Sequence, residues 1–378
     1  MSSPEGREEP AALGERFDAY RRDDGGVGVR NRVLVVPSVI CSHVVAERVA
    51  DASDRAVCVP HDHGCGQIGA DHEQTERTLL NLARNPNVTG ATVVGLGCEH
   101  LQSGPFAERI GEHGVPVRET AIQDAGGTEA ALDAGVEATG NLADAAAAAD
   151  RTDAALADLT VGVVSSDLSP SSSEVADPLV GKTVDALVDA GARVVVAGTE
   201  RLVPHRDAAA DRAASPAVAE ATRSAGDRDA GRPSNAKRVA RRAEVAEFDE
   251  VVGTWGNAEV AEFVPYGGRA TIDGGLALVD SPSRFEEAAT ALAAAGASVV
   301  VHVTADGITT GHPVVPILKV TGDGTTAAAL GDDIDVDART ADSDELLSEL
   351  LRVAAGGRTA SEAHGLTAFA INRVGPSL

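Results

Sequence analysis

The feature that most limits the fold is an alternation running through almost the whole chain, in which short β-branched runs are separated by Ala-rich stretches of helical character. RVLVVPSV (32–39), AVCVP (56–60), ATVVGL (91–96) and PVRET (116–120) are expected as strands, with helices over 42–52, 71–84 and 104–113 between them. Such a rhythm builds parallel sheets whose faces are covered by the crossover helices. The stretch 135–158 reads as a solvent-facing helix leading to a second unit. There LTVGVVSS (159–166), ARVVVAG (192–198), GLALVDS (275–281), ASVVVHV (297–303) and VVPILKV (314–320) alternate with helices near 175–191, 283–296 and 341–355. The expected fold class is α/β, two Rossmann-like units with mainly parallel sheets covered by helices.

At 378 residues the chain is long for one ordinary domain and comfortable for two. We place a disordered acidic tail at 1–18, a first α/β domain at 19–155 and a C-terminal α/β domain at 156–378. The last third of 206–235, which mixes Gly, Pro and charge, reads as a mobile loop. Acidic residues outnumber basic ones by 58 to 32, a formal charge of −26, and the only lysines are Lys182, Lys237 and Lys319. That surface repels phosphate backbones, so a nucleic-acid partner is not expected. The acid excess, with few lysines and aromatics, reads as adaptation to a salt-accumulating, halophilic cell, where salt screens the self-repulsion. No run of 18 apolar residues exists and the first residues are acidic and polar, so a cytoplasmic protein without a membrane partner is expected. Charge leaves homo-oligomerisation open.

Two polar clusters sit where strands are expected to end. PHDHGCGQIGAD (60–71) follows AVCVP, and GLGCEH (95–100) follows ATVVGL. In an open parallel sheet, ligands collect at the carboxyl edge, where loops converge. If the two strands are neighbours, His61, His63, Cys65, Cys98 and Glu99 meet there. Imidazole, thiolate and carboxylate together suit a borderline transition metal such as Fe(II) or Zn(II). The spacing is not that of a structural zinc knuckle. Arg30 and Asn31, in GVGVRNRV (26–33), precede the first strand, where a guanidinium fork can take a substrate carboxylate; a surface ion pair is the bland alternative. Gln123 lies ahead of a Gly-Gly turn in IQDAGGT (122–128). Cys41 and Cys58 read as packing.

GVGVRN, PHDHGCGQIGADHEQT, RNPNV, VVGLGCE and IQDAGGT, in this order and spacing, resemble the altronate and galactarate dehydratase family, in its large catalytic portion. ADPLVGKTVDALVDAG, PVVPILKVTGD and DDIDVDA extend the likeness to about residue 340. The resemblance implies an iron- or other divalent-metal-dependent hydro-lyase that dehydrates a sugar acid to a 2-keto-3-deoxy acid; some relatives eliminate sulfite from a sulfo-acid. Carried over, His61, His63, Cys65 and Cys98 become metal ligands, with Fe(II) the expected cofactor. His61, His63 and Glu99 become acid–base groups, and Arg30, Asn31, Gln67 and Gln123 substrate contacts. Family members carry a small N-terminal domain in the same chain or as a separate small subunit, so such a subunit is an expected partner. Where relatives carry Glu-Cys-Gly-Gly-Ser-Asp, this chain reads VSSDLS (164–169), and TADGITTGHP (304–313) stands for a Thr-Gly-Arg-Gly-Ser motif. These departures raise the alternative of a catalytically silent or divergent metal-binding homologue acting as a partner subunit. His302 and His312, flanking the second altered segment, read as solvated loop residues or as replacement polar groups.

Overall fold

A computed structural model describes residues 16–226 and 236–375. The chain opens with β1 (Arg16–Arg21) and β2 (Val27–Gly28), an antiparallel pair. Next come β3 (Arg32–Pro37), β4 (Ala56–Cys58), β5 (Val88–Gly95) and β6 (Val117–Ala121), all parallel and ordered β4-β3-β5-β6. Helices α1 (His43–Ala50), α2 (Ala70–Ala83) and α3 (Ser103–Glu112) are the crossovers, and α4 (Thr128–Ala148) packs back on the sheet through Leu142, Ala143 and Ala146. β7 (Thr152–Ala155) then returns to pair antiparallel with β1.

The second sheet has seven strands, all parallel: β8 (Thr160–Ser165), β9 (Arg193–Val196), β10 (Val260–Val264), β11 (Gly275–Val279), β12 (Val299–Val303), β13 (Ile317–Thr321) and β14 (Val336–Asp337). Their order is β10-β11-β9-β8-β12-β13-β14. Helix α5 (Asp177–Asp189) is entered through a π-helical turn at Ser171–Ala176. The central strands are buried on both faces, as expected when helices cover both sides of a parallel sheet. The α/β class with parallel sheets is therefore what the alternation indicated.

Two expectations need correction. The helix expected over 135–158 begins earlier and ends at Ala148, and residues 152–155 are a strand instead. Of the tail expected at 1–18, residues 16–18 already belong to β1, where Phe17 is buried; residues 1–15 lie outside the described residues. So does most of the loop expected at the end of 206–235, since 227–235 are not described.

Two buried amides stitch the sheets together. Asn85 Nδ2 donates to the carbonyls of Ala293 (2.7 Å) and Ala297 (2.8 Å), while its Oδ1 accepts the Asn87 N–H. Asn87 Oδ1 accepts the N–H groups of Val29 and Arg30, and its Nδ2 donates to Ser298 and Val314. RNPNV is thus a joint between the units. An apolar cluster crosses the same seam, with Leu79 and Leu82 of α2 packed among Ala289, Leu292 and Ala293.

Arg30 adds an ionic clamp. Its Nε and Nη2 grip the Glu362 carboxylate at 2.8 and 2.7 Å, and its remaining N–H groups reach the carbonyls of Val29, Val353 and Gly357. Arg32 adds a bond to the same carboxylate. Burial pushes the Glu362 carboxyl up, but hydrogen bonds and charge from Arg30 outweigh it and hold the group below its ordinary 4.5. Because the folded value is depressed, this stabilisation is complete above 4.5 and is lost as the pH falls from there through the folded value. Arg30→Met is expected to lower unfolding free energy by about 3 kcal/mol, the cost of stranding a half of a buried pair, with the difference shrinking in acid. Urea titrations at pH 7 and pH 3 check it, and equal losses at both pH values refute the ionic account.

Candidate functional site

The strand order β4-β3-β5-β6 reverses direction at β3 and β5, so the loops after these strands diverge and leave a crevice at the carboxyl edge. Cys41 follows β3, Cys65 follows β4 and Cys98 follows β5. Two hydrogen bonds tie the loops: Ile40 N–H to the His63 carbonyl (2.9 Å) and Ser38 Oγ to Glu99 Oε1 (2.8 Å). Glycine is required where the loops after β3 and β4 meet. Gly64 has φ +107°, and a Cβ there would lie 2.9 Å from the Ser38 carbonyl.

All three thiols are exposed. Cys41 and Cys65 lie within hydrogen-bonding reach of one another; local desolvation first, then Cys65, Cys98 and Glu99, push the Cys41 thiol up. Cys41 is therefore not a packing residue, as its place after an apolar run suggested, but the third thiol of this edge. Cys58 packs against the α1 face of β3, and burial raises its thiol strongly.

Glu99 is buried and accepts from Ser38 Oγ, Leu96 N–H (3.1 Å) and Gly97 N–H (2.6 Å). It fastens two loops at the crevice. Gln123 is exposed and stands against Gly97, where an added Cβ would come within 2.9 Å of its Oε1. Gln67 is buried, its Nε2 bonded to His63 Nδ1 (3.0 Å) and its Oε1 without a partner. A buried carbonyl oxygen with nothing to accept is poised for a donor that a ligand can bring.

The two histidines are committed to the loop. His61 Nε2 donates to the Pro37 carbonyl (2.8 Å), and its Nδ1 accepts the His63 N–H (3.2 Å). Burial pulls its pKa down to about 4, so the ring is neutral. His63 has one ring nitrogen on Gln67 and the other 3.4 Å from Asp62, and burial lowers its pKa too. Neither ring offers a free lone pair. Among the described residues no three His, Cys, Asp or Glu side chains are arranged to hold a metal ion. In this geometry His61, His63, Cys65 and Cys98 do not converge as a ligand set for Fe(II): Cys65 meets Cys41, His61 is engaged by backbone, and His63 by Gln67 and Asp62. Arg30 and Asn31, expected as substrate contacts, are both engaged within the protein. Arg30 is consumed by Glu362 and carbonyls, and Asn31 bonds Arg22 and the Ala146 carbonyl inside the protein. His302 and His312 are buried rather than solvated.

A parallel α/β scaffold with polar loops at a strand-order reversal places the chain in the doubly wound α/β class. Residues 19–147 match the family model "D-galactarate dehydratase/Altronate hydrolase, second domain", and residues 252–377 match "D-galactarate/Altronate dehydratase, C-terminal". The chain is 29% identical to the (2R)-sulfolactate sulfo-lyase subunit beta of Chromohalobacter salexigens, over 96% of this chain and 98% of that protein. It is 26% identical to the altronate dehydratase of Escherichia coli, over 99% of this chain and 81% of that protein. With the altronate dehydratase of Bacillus subtilis it shares 30% identity over 48% of this chain and 38% of that one. The chain belongs to the altronate/galactarate dehydratase family.

Two outcomes check this geometry. His61→Ala is expected to cost about 1–3 kcal/mol through the two orphaned hydrogen-bond partners and to leave the metal content of the purified protein unchanged; loss of metal on this substitution would return the ring to a ligand set. Phenylarsine oxide, whose arsenic bridges two neighbouring thiols, should add once per chain, as read by intact mass. Cys41→Ser or Cys65→Ser should abolish that adduct, and its survival in both would show that the pair is not adjacent.

Proposed function

We propose that this chain is the large subunit of a lyase that acts on a 2-hydroxy acid bearing a leaving group on C3. One observation carries this reading: the alignment with the sulfo-lyase beta subunit runs nearly end to end on both proteins, while the altronate dehydratases are longer. Both reactions reduce to one scheme. A base takes the C2 proton, the C–H electron pair becomes a C2–C3 double bond, and the leaving group departs from C3 with its own pair. Hydroxide leaves from a sugar acid, giving a 2-keto-3-deoxy acid after the enol tautomerises; sulfite leaves from a sulfo-acid. Gln67 and Gln123 are suited to bind substrate hydroxyls, and Glu99 orients the loops that hold them. No step is assigned to a metal, since the expected ligands are otherwise engaged. Four free cysteines accord with a reducing, cytoplasmic setting. Among the described residues no helix is long and apolar enough to cross a membrane.

A separate small subunit is the natural partner, because the full-length relative is itself designated a beta subunit. A silent partner subunit is the second reading, favoured by VSSDLS at 164–169, which by resemblance stands in place of a family Gly-rich acidic motif. The discriminating assay mixes the purified chain with a small subunit and offers sulfolactate and a panel of hexonates and hexarates. Keto acid is expected from at least one of them, with sulfite released if the sulfonate is the leaving group. No keto acid from any, with a complex demonstrably formed, would leave only the silent subunit.

A further inference from the structure

The seven-stranded sheet has its own strand-order reversal, between β8 and β12. Ser166 is the first residue beyond β8, and its N–H is held by the Val303 carbonyl (3.0 Å) at the end of β12. His302 lies on β12 directly across from Lys319 on β13. All three side chains connect. Ser166 Oγ is 2.5 Å from His302 Nε2, and His302 Nδ1 is 3.0 Å from Lys319 Nζ. Lys319 also donates to the Thr310 carbonyl (2.5 Å).

The inner two members are sealed from water. His302 and Lys319 are fully buried, and Phe285 packs on both: its ring centroid is 4.3 Å from the imidazole and 3.9 Å from Nζ. Ser166 is only part-buried and opens on a cavity of about 250 Å³ whose wall includes Ser283, Thr304, Arg238 and Arg284. Both guanidiniums are half-exposed and paired with carboxylates, Arg238 with the exposed Asp306 (3.0 Å) and Arg284 with the largely buried Glu287 (3.3 Å). The exposed Arg238–Asp306 pair is worth little, so a ligand carboxylate can displace Asp306 at small cost.

We propose that Ser166, His302 and Lys319 form a proton relay at this cavity, with Ser166 the catalytic residue that takes the C2 proton of a bound 2-hydroxy acid. The assignment deepens the lyase reading and rests on it. The proton from C2 moves to Ser166 Oγ as the serine's own proton passes to His302 Nε2. The His302 Nδ1 proton passes to Lys319 Nζ, which becomes an ammonium. The C–H pair forms the C2–C3 bond, and the leaving group departs with its electrons. Serine and imidazole end neutral, so the net base is the Lys319 amine.

Protonation of Lys319 sets the direction of the chain. With a neutral amine, His302 Nδ1–H points at the Nζ lone pair and Nε2 is free to accept the serine hydroxyl proton. With an ammonium, Nζ donates to Nδ1 and the ring must carry its proton on Nε2. Burial pulls Lys319 down to about 7, with Asp335 and Glu286 opposing, and burial and Lys319 together keep His302 neutral. Asp167, beside Ser166, stays ionised: burial pushes it up, but Ser169 and Ala305 hold it low. Arg238, Arg284, Glu286 and Asp306 are the other charged groups lining the cavity. A lysine amine near neutrality is the state a general base needs.

Nitrogen-15 NMR of the full chain and turnover by the complex with its small subunit test this. The His302 proton is expected to move from Nε2 to Nδ1 as the pH rises through about 7, and Lys319→Met should abolish that switch. In turnover, kcat/KM should rise with pH to a plateau above the same midpoint. Ser166→Ala, a mild change at a part-exposed site, should cut kcat by about 10²-fold or more with KM little changed, and should keep the imidazole switch. A His302 tautomer constant from pH 5 to 9, or Ser166→Ala with wild-type kcat, overturns the relay. An intact switch with no acid turned over overturns the substrate assignment and the lyase reading, not the proton chain.

Discussion

The buried amides of Asn85 and Asn87 are the constraint on which the arrangement of the two sheets depends. Each uses its oxygen and both its hydrogens on backbone groups: the hydrogens reach segments more than 200 positions away, while the oxygens accept from Val29 and Arg30, just ahead of β3, and from Asn87. A buried carbonyl or N–H left without a partner costs about 1–3 kcal/mol, so any slip between the units strands several at once. The apolar seam supplies area but no direction. The amides supply the direction.

With the sheets fixed, parallel pairing decides where reactive groups can gather. Each strand leads into a loop at the same edge, and where the strand order reverses the loops part. The four-stranded sheet uses its reversal to collect three thiols, a carboxylate and two amides. The seven-stranded sheet uses its own to place a hydroxyl over an imidazole and an amine. The first edge is polarisable and rich in hydrogen-bonding groups; the second can move a proton.

How much of this could be read beforehand follows from what periodicity sees. Long β-branched runs flanked by Ala-rich helices announced the buried strands. β7, in RTDAALAD, was hidden because an edge strand with exposed Thr152 and Asp153 carries no apolar run. Cys65, Cys98 and Glu99 could be brought to one edge by counting strands, but not the fate of each lone pair. His61 and His63 look like ligands in sequence and become loop fasteners because their nitrogens meet the Pro37 carbonyl, the His63 N–H and Gln67. Arg30 looks free until a glutamate over 300 residues later appears beside it. Lys319 did leave a trace. It is a lysine inside a continuous apolar strand in a chain almost devoid of lysine, and a charge in such a place needs a reason.

The same logic bears on the altered segment 164–169. By resemblance, relatives carry paired glycines where this chain has Ser166 and Asp167, which looks at first like loss of a backbone cradle. The side chains gained tell otherwise: Ser166 contributes the oxygen that meets His302, and Asp167 anchors the N–H groups of Ser169 and Ala305, fixing the loop ends on either side of the cavity. A hydroxyl standing on a buried imidazole and amine has its orientation set before any ligand arrives, so it pays no reorganisation when the proton moves. The substitutions therefore replace one way of shaping the pocket by another that also carries a titratable chain behind it.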